Sequence, residues 1–427
     1  MTPLAFSILF ALAIVAATLV RIWLAARQIR HVVRHRERVP EQFSATISLD
    51  AHRRAADYTV ARTRLVFLDA TVSAAFVLGM TLLGGFQWLY DLLFAALPEA
   101  PLLRQILLVL AVALAASVLE LPFDWYRQFR IEARFGFNRM SLRLFVVDLL
   151  RGLAIAAVLG VPLLAAVLWL IERTGSAWWL WVWFLWMGFN LVVLVLYPTV
   201  IAPLFNRYEP LADEPLRKRL ERLLARCGFE ARGVFVMDGS RRSGHGNAYF
   251  TGLGAAKRIV LFDTLIERLD ADEIEAVLAH EIGHFKRRHV VKRIALTFVL
   301  SLGGLWLLGY LGQQPWFYVG LGALPRDAHW GGLALVLFLL ALPSFTFLLH
   351  PLAAALSRRQ EFEADRFAAE RTDAGMLIRA LVKLYRDNAS TLTPDPVHSR
   401  FYDSHPPASQ RVGRLSLLQS ITRTSPA

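Results

Sequence analysis

A single cysteine, Cys227, occurs among 427 residues. A lone thiol excludes an internal disulfide and any cysteine-built metal site. It reads as a small buried hydrophobe. Charge is scarce as well. Asp, Glu, Lys and Arg make up 19% of the chain, against about 25% in an ordinary soluble domain. Hydrophobic residues reach 56% and the mean hydropathy is +0.44. These values exclude an average soluble protein and predict an integral membrane protein. Acidic side chains are the scarcer sign, 34 against 47 Lys and Arg, which leaves a formal charge of +13. A basic balance suits either nucleic acid or a membrane surface, and the placement of the charges decides between them.

Apolar runs long enough to cross a bilayer lie at 4–26, 65–86, 102–122, 144–171, 177–200, 290–312 and 332–356,. The first run is longer than a signal-peptide core and lacks a basic start, so it is expected to remain as a span. Asp69, Asp148 and Asn190 fall inside runs, and Pro162, Pro198 and Pro343 interrupt them. Polar groups at such positions face a bundle interior or a water-filled cavity rather than lipid. Four tryptophans, Trp178, Trp179, Trp181 and Trp183, crowd the start of the fifth span, as an interfacial aromatic belt would.

The loops alternate in charge. Residues 27–63 carry eight arginines, and the next loop has only Arg104. Arg127, Arg130, Arg134, Arg139 and Arg143 follow, then a loop with Arg173 alone and, later, one with Arg326 alone. The positive-inside rule then predicts an outside N-terminus, with 204–289 and 357–427 on the cytoplasmic side. The basic runs are therefore explained without nucleic acid.

Residues 280–284 read HEIGH. On a helix this spacing sets His280 and His284 on one face, able to share a Zn²⁺, with Glu281 beside a bound water. Asp270 and Glu273 form a capping-box pattern ahead of Ile274, Val277 and Leu278 at helical spacing, so a helix is predicted,. Lys286, Arg287 and Arg288 then lead into the sixth run, which places the site near a membrane surface. A catalytic zinc takes three protein ligands and leaves one position for water. After the seventh run comes Glu361 with Asp365 one helical turn on. Glu361 is the candidate third ligand, with Glu363 as its competitor, and Asp365 is a candidate acceptor for the outer N–H of a ligand histidine. Zinc would lower the pKa of a bound water toward about 7, and Glu281 would take its proton and later pass one to the leaving amine.

Beyond the HEIGH pentad and the 361–365 spacing, five stretches point to one family. They are EARFGFNR at 132–139, YPTVIAPLFN at 197–206, RSGHGNAYF at 242–250, RIVLFDT at 258–264, and SHPP at 404–407 with Arg411. Together the chain resembles the type 1 CAAX prenyl protease family, integral membrane zinc metalloendopeptidases of the gluzincin type, over about residues 120–415. The resemblance implies an all-α membrane protein, with seven helices forming a barrel around a water-filled chamber and a small β-sheet in the peptidase domain. It implies His280, His284 and Glu361 as ligands of one Zn²⁺ and Glu281 as general base. Asn247 and Ala248 would lie on an edge strand that pairs with substrate backbone. His405 would donate to the oxyanion, and Arg411 would support the substrate carbonyl or the site. His245, His289, His350 and His398 have no partner pattern and are expected to be structural.

The expected organisation is five spans with basic loops over 1–203, a peptidase segment over 204–289, two spans over 290–356, and a C-terminal segment over 357–427. The Arg-, Ala- and Leu-rich composition with short loops suggests a bacterial inner membrane, with the endoplasmic reticulum as the eukaryotic counterpart. Bacteria generally lack prenylated proteins, so the expected partner is a peptide or protein that is prenylated or unmodified, in contact with membrane lipid. Two rival readings are a heat-shock-type membrane quality-control protease, usually with about four spans, and a non-catalytic receptor or transporter with a structural metal. A structural zinc needs no base and prefers four closed ligands, and the internal repeats of a transporter are not seen in these spans.

Overall fold

A computed structural model describes residues 1–229, 233–251 and 258–424. Its helices in chain order are α1 (Pro3–His35), α2 (Leu49–Met80), α3 (Gly85–Ala96), α4 (Pro101–Tyr126), α5 (Leu142–Arg173), α6 (Trp178–Leu196), α7 (Ala202–Phe205), α8 (Glu214–Arg226), α9 (Asp263–Ile266), α10 (Ala271–Lys286), α11 (His289–Leu311), α12 (Pro315–Gly320), α13 (Gly331–Thr346), α14 (His350–Arg371), α15 (Ala374–Asp387), α16 (Pro396–Tyr402) and α17 (Ala408–Thr424). The strands are β1 (Tyr208–Pro210), β2 (Val234–Met237), β3 (Ala248–Thr251) and β4 (Arg258–Phe262).

Seven helical segments among the described residues are long and apolar enough to span a bilayer, and they coincide with the seven runs. Two extend well past their apolar parts. The second span begins at Leu49, so a polar stretch with Arg53, Arg54 and Arg62 continues the same helix. The seventh passes through α13 and a 3₁₀ turn at Phe347–Leu349 into α14, ending at Arg371. Pro351 sits in the first turn of α14, where its missing N–H costs nothing,. The third candidate ligand is thus carried on a rigid extension of a membrane helix.

Two adjoining polar cavities of about 660 and 530 Å³ share Gln28, Thr59, Arg62, Asn388, Ser390 and Asp403 on their walls. The second also reaches His405 and Arg411. Asp69 lines the first. Asp148 accepts a forked pair of hydrogen bonds from Arg242, at 2.8 and 3.0 Å. Asn190 behaves locally, donating to the Trp186 carbonyl one turn back.

The sheet has the order β1-β2-β4-β3, with β2 and β4 parallel and both outer pairs antiparallel. Its buried face packs on α8 and α10. Leu220, Leu261, Ile274 and Leu278 meet Phe367, Leu377, Leu381 and Leu415 in one apolar core, so 204–289 and 357–427 fold around shared side chains. Arg242 joins this body to the spans, since it also donates to the Asn206 side chain at 2.7 Å.

Candidate active site

The capping box opens α10 as the sequence predicts. Asp270 receives the backbone N–H at the third helical position, and Glu273 accepts from the Asp270 N–H at 2.9 Å. Glu273 is fully buried and receives Lys383 from α15 at 2.8 Å. The start of the HExxH helix is therefore fixed from two sides.

Helix α14 crosses α10 at Gly283. A methyl group there would come within 3.0–3.1 Å of the Ala364 backbone and of Phe367. Glycine thus lets the two backbones touch, and this contact brings Glu361 to the two histidines. The His280 and His284 Nε2 atoms are 3.2 Å apart. Glu361 oxygens lie 3.5 Å from His280 Nε2 and 3.3 Å from His284 Nε2. All three donor atoms fall within 4.8 Å of one another.

These residues fit a metal. Glu361 Oε2 is buried with no well-aligned hydrogen bond, although nitrogens of His280 and His405 stand 3.5 and 2.8 Å away. Nitrogens thus converge on this oxygen without hydrogen-bond alignment, as ligands around a cation do. Two imidazoles and one carboxylate form a donor set suited to Zn²⁺ with a position left open. Burial by itself lowers the His280 pKa, but Asp365 and Glu361 outweigh it and raise it to about 9. The same carboxylates that favour a proton on this ring favour a divalent cation beside it.

Each histidine is held from behind. His280 Nδ1 is 2.9 Å from Asp365, and Asp365 is gripped by the Arg411 fork, with Nε at 2.9 Å. Arg411 is 6% exposed, and its Nη1 is 3.7 Å from Glu361. Its donors are directed at the site's own carboxylates. Asp365 therefore stands behind His280, and Arg411 contacts it from the other side.

His284 has a support that sequence reasoning missed. Its Nδ1 is 3.0 Å from His289 Nδ1, and His289 Nε2 is 3.1 Å from Glu363. With Nε2 turned to the donor cluster, a neutral His284 carries its proton on Nδ1 and donates it to His289. His289 then donates from Nε2 to Glu363, which Arg359 braces at 3.2 Å. Glu363, the competitor for third ligand, is thus placed on this support and not in the donor cluster. His289 was expected to be only structural. The signal for it was its position, five residues after His284 at the first turn of the next helix.

Glu281 is half-buried on α10, within electrostatic range of His280, His284, Glu361 and His405. Burial pushes its carboxyl up from its ordinary range, against the nearby His280 and His284. A carboxylate so placed accepts a proton more readily than a solvated one. His405 reaches the cluster through its 2.8 Å contact with Glu361, while its side chain stays 63% exposed to the adjoining cavity.

Asn247 and Ala248 begin the edge of the sheet. Phe262 N–H donates to the Asn247 carbonyl at 3.0 Å. This makes Asn247–Phe262 a bonded pair and turns the Ala248 N–H and C=O outward, away from β4. The Ala248 N–H is capped by the Asn247 side chain at 2.8 Å. β3 packs beside α10, and among the described residues no strand pairs with its outer edge. His245 belongs to a different contact, 3.2 Å from Glu132 and 3.4 Å from the Asn388 side chain.

Comparison with known proteins fits this geometry. The family described as CAAX prenyl protease N-terminal, five membrane helices, matches residues 28–207, and peptidase family M48 matches residues 210–419. A CAAX prenyl protease 1 homolog of Arabidopsis thaliana is 31% identical over 384 residues, covering 88% of this chain and 89% of its own length. The chain belongs to the type 1 CAAX prenyl protease family. CAAX prenyl protease 1 of Saccharomyces cerevisiae is 34% identical over 70% of this chain and 69% of its own. The crystal structure of S. mikatae Ste24p superposes with a TM-score of 0.90 at 26% identity, covering 96% of this chain and 99% of that one. The protein is therefore a multi-pass membrane metalloendopeptidase with a chamber-forming helical barrel. Its seven spans set aside the heat-shock-type reading, and its family sets aside a non-catalytic receptor.

Proposed function

We propose that the chain hydrolyses peptide bonds near the C-terminus of CAAX-type substrates, prenylated or unmodified, using one Zn²⁺ held by His280, His284 and Glu361. The observation that carries this is the convergence of those three donors beside an open strand edge and a polar cavity. Bound zinc supplies a Lewis acid and a water of lowered pKa. The protein's own groups do the rest. An extended peptide pairs with the Asn247–Ala248 edge, which requires the Asn247 side chain to leave the Ala248 N–H. Glu281 takes a proton from the attacking water and returns it to the leaving amine. His405 donates to the developing oxyanion. Arg411 holds Asp365, and Asp365 holds His280 in its working orientation.

We place the N-terminus outside and the zinc site on the cytoplasmic side, since the arginine-rich loops all fall on that side,. A bacterial inner membrane is the proposed location, and the substrate is correspondingly a membrane-associated peptide. The test uses detergent-purified protein and two fluorogenic peptides, one prenylated at a C-terminal Cys and one unmodified. Chelator-sensitive cleavage of either supports the peptidase, and the ratio reports the role of the lipid. Cleavage of neither, with zinc bound, would overturn the substrate class.

A further inference from the structure

A cleft of about 930 Å³ opens between α14, α17 and the junction of α10 with α11. Six cations line it: Arg287, Lys292, Arg358, Arg359, Arg366 and Arg414. The lining carboxylates are Glu363 and Asp365. Both are already engaged, Asp365 by Arg411 and His280, Glu363 by His289 and Arg359. Arg358 donates to the carbonyls of Ser399 and Asp403. Among the described residues, no carboxylate lies within 4 Å of the side-chain nitrogens of Arg287, Lys292, Arg366 or Arg414. Arg414 instead stacks 3.8 Å over the Phe362 ring.

Basic residues at the mouth of a membrane protein are common, and several on this face are paired. Arg36 pairs with Asp57 and Glu37, Arg53 with Glu37, and Arg219 with Asp272 and Glu275. The cleft differs in concentrating unbalanced cations in a concavity. Its level also matters. Leu352 and Leu356 are exposed on the span side of α14, and Val290 and Val291 begin the exposed apolar face of α11. Leu356 lies three residues before Arg359, about 5 Å along the helix axis. Lys292 directly follows the exposed valines. The cleft therefore starts where the lipid-facing surface stops, at the depth of phospholipid headgroups. Leu417, 65% exposed, adds an apolar edge on α17.

We propose that this cleft binds the headgroup phosphate of an anionic phospholipid from the leaflet on the metal-site side. Basic clefts just outside membrane helices recognise such headgroups, each Lys or Arg contributing about fivefold. The test is native mass spectrometry of the full-length protein titrated with phosphatidylglycerol or phosphatidylcholine. Wild type is compared with the combined variant Arg287→Gln, Lys292→Gln, Arg414→Gln, and with a charge-matched control, Arg34→Gln, Arg38→Gln, Arg143→Gln. We expect wild type and control to retain phosphatidylglycerol over phosphatidylcholine, and the cleft variant to lose at least about tenfold in retention. Unchanged retention in the cleft variant, or an equal loss in the control, overturns the site. Displacement of the lipid by millimolar inorganic phosphate overturns the lipid as occupant. The single variant Lys292→Gln, read in the same titration, keeps the test decisive if the combined variant is unstable.

Discussion

Glu361 and Glu363 are two residues apart on one helix and do different things. Glu361 meets both HExxH imidazoles, and Glu363 meets His289. Glu361→Ala is expected to abolish zinc binding, measured as metal per chain after purification, whereas Glu363→Ala keeps the metal with at most a modest loss of affinity. His289→Ala removes the acceptor for His284 Nδ1–H. Loss of such a supporting partner costs roughly 10- to 100-fold in metal affinity. His289→Asn keeps an oxygen where Nδ1 stood and is expected to recover part of that loss in chelator competition. Equal zinc affinity in wild type and His289→Ala would show that the histidine pair is only a packing contact. The three clustered donors were legible in the sequence because a one-turn spacing fixes which side chains share a helical face. The His289 support was not, because it crosses the break between α10 and α11. That break is set by Arg288 in a left-handed conformation (φ 55°), which spacing rules do not foresee.

At the scale of elements, the site depends on the contact of α10 with α14. Gly283→Ala would place a methyl group against the Ala364 backbone, which cannot yield as a side-chain end can. We expect a loss of about 1–3 kcal/mol in stability and weaker zinc retention, because Glu361 moves with α14. A Gly283→Ala protein with wild-type melting and metal content would contradict the close-packing role. The edge strand gives a separate prediction. Asn247→Ala is expected to lower peptide turnover with zinc retained, and unchanged turnover would remove the strand from the substrate-binding account. The HExxH helix was readable from its capping box and apolar spacing. That the Glu361 helix continues the seventh span was not, since the apolar run stops at 356, whereas the chain passes Pro343 and Pro351 with only a short 3₁₀ turn.

Across the whole molecule, the spans and the peptidase body are joined by a few polar ties. Arg242 bridges Asp148 on α5 and Asn206 beyond α7. Hydrogen bonds to a charged group contribute about 1.5–3 kcal/mol, so Arg242→Gln is expected to lower the melting temperature of the purified protein by several degrees. An unchanged melting temperature would show that the shared apolar contacts suffice. The seven spans were legible because bilayer thickness sets a length that composition reveals directly. Asp148 was legible as an anomaly inside a span, but its partner lies 94 residues away, and no periodicity encodes such a pairing. The shared core of 204–289 and 357–427 was hidden for the same reason, with two spans intervening in sequence.

The most direct measurement is peptide turnover by Glu281→Gln protein that carries one zinc per chain. Glutamine preserves the shape of the side chain and cannot take a proton from water. We expect full zinc occupancy with turnover at least about 100-fold below wild type. Turnover near the wild-type rate at full zinc occupancy would contradict the role of Glu281 and, with it, the catalytic reading of the site.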